Sequence, residues 1–247
     1  DTPKPGPMVV YIHGGPHGIR DYWRYDAEVQ LMASQGVHVL QVNYRGSGGY
    51  GLDYETAGHG QWGARMQDDV TDATLWAINN KVADPARICI FGASYGAYSA
   101  LMGVAREPDL YRCAVGYSGL YDLTLMEKAG DIRERDAGIA YIHEVLGNND
   151  EHLRSISPVY LADRIKADVM LIHGVLDRRT PIQHAKRMRS ALEDNGKQVE
   201  WLVDIEQGHG FFGVADQLKV HQKISAFIGK HLGIDVSGIS WEKPEGL

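Results

Sequence analysis

The sequence predicts an α/β protein: one mostly parallel sheet with helices on both faces. Two observations carry this. Short apolar runs alternate with amphipathic stretches along the whole chain, which implies parallel strands joined by helical crossovers. The runs are also rich in Val and Ile and mostly bounded by Gly, Asp or Pro, as in strands buried on both faces. Strands are expected over residues 8–13, 37–43, 87–91, 113–117, 169–173 and 199–205. Helices are expected over 25–35, 65–80, 95–106, 181–195 and 217–232. Crossovers of one hand then gather the loops at the strand C-termini along one edge of the sheet. Residues 1–235 form one domain on this reading. Residues 118–167 are long, polar and irregular, and are either a lid or docking surface or a few helices covering the sheet edge. Residues 236–247 form a loop-like C-terminal tail expected to fray.

Bulk properties exclude several classes of function. The 247 residues are 44% hydrophobic and 23% charged, ordinary for a globular domain. A net charge of −7 argues against a nucleic-acid partner. Nothing approaches the run of about 20 apolar residues that a membrane helix needs. The two cysteines, Cys89 and Cys113, sit in apolar runs, and buried reduced thiols are the plainer reading than a disulfide. No signal peptide is visible, and a cytoplasmic location is the expectation.

A nucleophile is legible at Ser94. It lies in Gly92-Ala93-Ser94-Tyr95-Gly96, after an apolar strand and before a helical pattern carrying Ala97, Ala100, Leu101 and Val104. G-x-S-x-G alone is a weak match in a chain with 29 glycines. The strand–turn–helix context strengthens it, because a nucleophile elbow holds its serine on a strained turn at a helix N-terminus. The fold expected is therefore the α/β-hydrolase fold. Its tetrahedral intermediate needs hydrogen-bond donors. The backbone N–H of Tyr95 is one candidate. The N–H of Gly15, in His13-Gly14-Gly15-Pro16 after the first strand, is the other.

The acid and base should follow in the order Ser, Asp, His. Asp177 stands just beyond the strand over 169–173, where it could accept a histidine Nδ1–H; an Asx-turn or helix cap is the competing reading. Of the 11 histidines, His184, His209, His221 and His231 follow Asp177. Only His209 lies in a Gly-flanked loop, and the other three fall in helical patterns as solvated or half-buried residues. His13 and His17 straddle two glycines and a proline, so they share no helix face, and no zinc-type spacing exists. No metal or cofactor is expected.

Together, His13-Gly-Gly-Pro-His17, the stretch from Asn43 to Gly51, Gly92-Ala-Ser-Tyr-Gly96, His173-Gly-Val-Leu-Asp177 with Thr180-Pro181, and Gly208-His209-Gly210 resemble the prolyl oligopeptidase family of serine peptidases. The resemblance is strongest to its acylaminoacyl-peptidase and dipeptidyl-peptidase branches. It implies an N-terminal β-propeller and two strands ahead of the first one here, both of which this chain is expected to lack. It also implies Arg179 as a donor to the substrate backbone, where a solvated surface arginine is the alternative. Some branches use a tyrosine hydroxyl as an oxyanion donor at the position of His13, which leaves the Gly15 N–H for that role here. The 43–51 loop is expected to frame the site, and Asp68, Asp69 and Asp72 to be a solvated helix face with a cap. The function expected is hydrolysis of short peptides or acylated amino acids. A carboxylesterase on the same scaffold, or a domain that only binds, are the alternatives.

Overall fold

The computed structural model describes residues 4–239 and 241. It contains β1 (Gly6–Ile12), α1 (Ala27–Ser34), β2 (His38–Gln41), α2 (Leu52–Thr56), α3 (Arg65–Asn79), β3 (Ala83–Ala93), α4 (Tyr95–Arg106), β4 (Cys113–Tyr117), α5 (Asp136–Leu146), α6 (Asp150–Ser155), β5 (Asp168–Gly174), α7 (Gln183–Asp194), β6 (Val199–Asp204) and α8 (Val214–Leu232). The strands pair in the order β2-β1-β3-β4-β5-β6, and every pairing is parallel. The predicted class is borne out.

Side chains on a strand point alternately to its two faces, and the core divides accordingly. Met8, Val10 and Ile12 of β1, Ile88 and Ile90 of β3, and Val169 and Leu171 of β5 share one cluster with α3, α4 and α7. Val9, Cys89, Phe91, Val115, Met170 and Ile172 share the other with Met32 of α1 and Val220, Ile224 and Phe227 of α8. Burial on both faces is why these strands read as continuous apolar runs. Asp26 caps α1 by accepting from the N–H groups of Glu28 and Val29, each at 3.0 Å. Gly233, at φ 64°, ends α8 in the left-handed conformation that glycine adopts without a Cβ penalty.

Two expectations are corrected here. Cys89 and Cys113 are direct register partners on neighbouring parallel strands and form a disulfide with a Cα–Cα distance of 4.7 Å. Spacing along a chain does not reveal register, so the pairing was not readable as sequence. His184 is also not half-exposed: it is 1% exposed, and its Nδ1 accepts from the N–H of Asp122 at 3.3 Å. The helical stripe Ile142, Val145 and Leu146 in α5, all buried, was masked by its polar surroundings. Segment 118–167 packs closely beside α4. The Tyr98 hydroxyl donates to the Ile156 carbonyl at 2.8 Å, and the Gly60 N–H to the Val145 carbonyl at 3.0 Å. Of the tail, Ile239 N–H reaches the Val236 carbonyl at 3.3 Å; residues 240 and 242–247 lie outside the described residues.

Burial pushes His184 down to about 4, against about 6.5 in an unfolded chain. Between those values the unfolded state binds a proton that the folded state does not. Stability therefore falls as pH drops through that window, by about 3 kcal/mol from this residue between pH 7 and pH 4. Urea unfolding of the wild type and of His184→Gln at both pH values should show a shallower loss in the variant. Equal losses would contradict the assignment.

Candidate active site

The β3–α4 turn places Ser94. Its backbone sits at φ 56°, ψ −118°, a left-handed conformation that costs a non-glycine residue roughly 1–3 kcal/mol and must be imposed by the surroundings. Three contacts impose it. Ser94 N–H donates to the Tyr117 carbonyl of β4 at 2.8 Å, and Ser94 carbonyl accepts from the N–H groups of Ala97 and Tyr98 at 3.1 and 3.2 Å. The third is the close crossing of the flanking glycines: a Cβ on Gly96 would lie 2.0 Å from the Ile12 carbonyl oxygen of β1. Tyr95 is the first residue of α4, where the helix itself provides no acceptor for the N–H. The Tyr95 side chain is buried among Tyr44, Trp62 and Tyr98, so only its backbone is free to act.

The loop after β1 folds directly against this elbow. A Cβ on Gly14 would stand 3.4 Å from Ser94 Cβ and 2.9 Å from the Ala93 carbonyl oxygen, so the two backbones approach as only glycine allows. Gly15 follows at φ +78°. His13 turns away from the site: its Nε2 is 3.0 Å from Ser47 Oγ, and its ring stacks on Tyr44 at 4.4 Å. Burial pushes its pKa below the ordinary histidine value. The Tyr44 hydroxyl lies 3.1 Å from the His13 carbonyl oxygen and 3.3 Å from that of Gly15. This is how the 43–51 loop frames the site: Tyr44 and Ser47 hold the glycine loop in place.

Asp177 and His209 meet across the loops after β5 and β6. His209 Nδ1 lies 2.8 Å from Asp177 Oδ2. Asp177 Oδ1 accepts from the N–H groups of Arg179 and Thr180, each at 2.9 Å. Thr180 Oγ1 is 2.8 Å from Oδ2. Burial pushes the Asp177 carboxyl up, but the bonds from His209 and Thr180 outweigh it and hold the pKa below the ordinary carboxylate value. An ionised carboxylate only accepts, so the Nδ1 of His209 carries a proton in this contact. Tyr117, whose carbonyl holds Ser94, packs its ring 5.5 Å from Phe211, two residues beyond His209. Among the described residues no hydrogen bond joins the Ser94 hydroxyl to His209; such bonds are often loose without a substrate and tighten when one is bound.

Arg179 lies beside the pair, 54% exposed at its side chain, with Nε 3.0 Å from Asp131 Oδ1. It lines a cavity of about 680 Å³ with Asp131, Glu134, Arg135, Tyr141 and Arg178. Tyr141, on α5, also places its hydroxyl 2.8 Å from His17 Nδ1 in the loop after β1. Asp68, Asp69 and Asp72, expected as a solvated helix face, include two ion-paired residues. Asp69 takes the Arg45 side chain in two bonds of 2.6 and 2.8 Å and its N–H in a third at 2.9 Å, and Asp68 pairs with Arg106 at 2.7 Å. Their arginine partners lie 24 and 38 positions away, beyond what helical periodicity can show.

Residues 23–235 match the model of the prolyl oligopeptidase family. The chain belongs to that family. It is 31% identical over 245 residues to dipeptidyl aminopeptidase BIII of Pseudoxanthomonas mexicana, covering 93% of this chain and 34% of the relative. Among solved structures it superposes on a puromycin-hydrolyzing peptidase of Mycobacterium tuberculosis with a TM-score of 0.89 at 30% identity, covering 97% of this chain and 36% of that one. The Pyrococcus horikoshii acylaminoacyl peptidase gives a TM-score of 0.85 at 27% identity, covering 98% and 39%. The chain thus spans about a third of the length of the family members it matches. No helix among the described residues is long and apolar enough to cross a membrane.

Proposed function

We propose that this chain is a serine hydrolase that cleaves the amide bonds of short peptides or acylated amino acids through an acyl-enzyme on Ser94. The observation that carries the reading is the Asp177–His209 pair, its carboxylate buried and its imidazole partly exposed, on the same sheet edge as a serine held at φ 56°. His209 Nε2 takes the Ser94 proton as Oγ attacks the substrate carbonyl, and Asp177 steadies the imidazolium that forms. The N–H groups of Tyr95 and Gly15 receive the oxyanion. His209 then protonates the leaving amine, and water resolves the acyl-enzyme by the same route. Arg179 donates its remaining N–H groups to the substrate backbone from the cavity wall.

The relatives named dipeptidyl aminopeptidase, puromycin-hydrolyzing peptidase and acylaminoacyl peptidase support a peptide substrate over a carboxylic ester. Their greater length supports a β-propeller accompanying the hydrolase domain, as the resemblance implies. The cytoplasmic location expected from the sequence stands against the Cys89–Cys113 bond, because disulfides persist mainly in oxidising compartments.

The test is labelling of the full chain with a fluorophosphonate. Stoichiometric modification of Ser94, absent in Ser94→Ala, is expected, together with turnover of p-nitroanilide peptides. A folded sample that stays unlabelled, or is labelled elsewhere, would overturn the proposal. Turnover of matched p-nitrophenyl esters alone would favour the esterase reading.

A further inference from the structure

The hydroxyl of Thr180 stands where three groups of the proposed reaction meet. It lies 2.8 Å from Asp177 Oδ2, 2.9 Å from the Ser118 carbonyl oxygen and 3.2 Å from His209 Nδ1. The residue is 1% exposed, so water does not compete for these contacts. A hydroxyl has one proton and two lone pairs. Here the proton faces two acceptors at nearly equal distance, the carboxylate and the Ser118 carbonyl, while the third neighbour, Nδ1–H, is a donor.

Two arrangements of that single proton follow. Pointed at Asp177, it adds a hydrogen bond to the carboxylate. Pointed at Ser118, it frees the Thr180 oxygen to accept from His209 Nδ1–H, which then has two acceptors. A neutral imidazole is a modest donor and gains little from the second arrangement. An imidazolium is a charge-assisted donor and gains about twice as much per bond.

We propose that Thr180 is a positioning residue whose hydroxyl turns from Asp177 to Ser118 when His209 takes the Ser94 proton, so that two oxygens hold the imidazolium. The inference rests on the Ser94–His209 reading above. Only an O–H bond rotates, because the Thr180 backbone is pinned at both ends. Its N–H donates to Asp177 Oδ1 at 2.9 Å, and its carbonyl lies 2.6 Å from His173 Nε2. The Ser118 carbonyl is equally fixed. Ser118 sits at φ +49°, and its N–H donates to the Ile172 carbonyl at 2.8 Å. Since Tyr117 holds the Ser94 N–H, this hydroxyl also ties the acid turn to the strand that supports the nucleophile.

The titratable groups that face the Asp177–His209 pair are His173, His184 and Tyr117. His173 of β5 lies 3.5 Å from Asp177 Oδ2, His184 of α7 lies beyond it, and Tyr117 of β4 packs alongside. Burial pushes both histidines down and Tyr117 up, so all three stay uncharged near neutral pH. Arg179 is the neighbouring cation.

The experiment compares full-length wild type, Thr180→Val and Thr180→Ser with a p-nitroanilide peptide, measuring kcat, KM and the pH profile of kcat/KM from 5 to 9. Valine should lower kcat about ten-fold, the size of one bond to a charged group, leave KM nearly unchanged, and move the acid limb to lower pH. Serine should restore both. An acid limb that moves to higher pH would overturn the inference, because it would mean a hydroxyl fixed on the carboxylate. So would unchanged kinetics in Thr180→Val, or equal loss in the valine and serine variants. If valine prevents folding, Thr180→Ala gives the same readings. A wild type with neither turnover nor fluorophosphonate labelling at Ser94 would instead overturn the Ser94–His209 reading.

Discussion

Asp177→Asn should lower kcat about ten-thousand-fold while leaving KM within a few-fold, the size seen when a triad aspartate is replaced in this way. The structure dictates which way the new amide would face. Asp177 Oδ1 accepts two backbone N–H groups, from Arg179 and Thr180, so the asparagine must put its carbonyl oxygen there. Its NH2 group then occupies the position of Oδ2, 2.8 Å from His209 Nδ1. A donor at that point demands a lone pair on Nδ1, which sends the imidazole proton to Nε2. His209 then faces Ser94 with a proton and has no lone pair to accept another. Single-turnover kinetics with a p-nitroanilide peptide would show the loss in acylation. A decrease of less than a hundred-fold would mean that Asp177 does not orient the base.

Gly96→Ala should cost more than about 3 kcal/mol, the upper end for overpacking a close contact. In a domain of this size that lowers the midpoint of thermal unfolding by roughly 6–12 °C. The added Cβ would lie 2.0 Å from the Ile12 carbonyl oxygen and 3.2 Å from that of His13. Neither oxygen can retreat. Ile12 ends β1 within the sheet, and the His13 carbonyl is fixed by Tyr44. Gly36→Ala is the control. Gly36 sits at φ +80° with nothing within 4 Å of an added Cβ, so it isolates conformational strain of about 1–2 kcal/mol. Equal shifts in the two variants would show that the elbow tolerates the clash.

The inner strands were legible because they are buried on both faces and so write their positions as apolar runs; β4 is read from 113 to 117 without error. The Ser94 turn was legible because its demands are local: a strand, two glycines and a helix within a few residues. Tertiary partners were not legible. Thr180 and Pro181 entered only as part of a family-like stretch, and nothing in that spacing says the hydroxyl reaches Ser118, 62 positions earlier. Tyr44 reads only as part of the loop over 43–51, and its hold on the glycine loop exists only once β1 and β2 pair. The cysteine bond depends on register in the same way. Likewise residues 118–167 were read only as a lid or docking surface or a few helices, and the bounds of α5 and α6 were not legible because so few of their residues, Ile142, Val145 and Leu146 in α5 and Leu153 in α6, are buried.

The bond between Cys89 and Cys113 has a consequence for the chemistry of detection. Trypsin cleaves after Lys and Arg, so Ser94 and Cys89 leave together on the peptide spanning residues 88–106, and Cys113 on the one spanning 113–128. Digested without reductant, the probe-bearing serine should emerge tethered to residues 113–128 as one ion, and reduction should split it into two. A single mass spectrum of the labelled protein therefore reports both the reactive serine and the oxidation state of the pair beneath it.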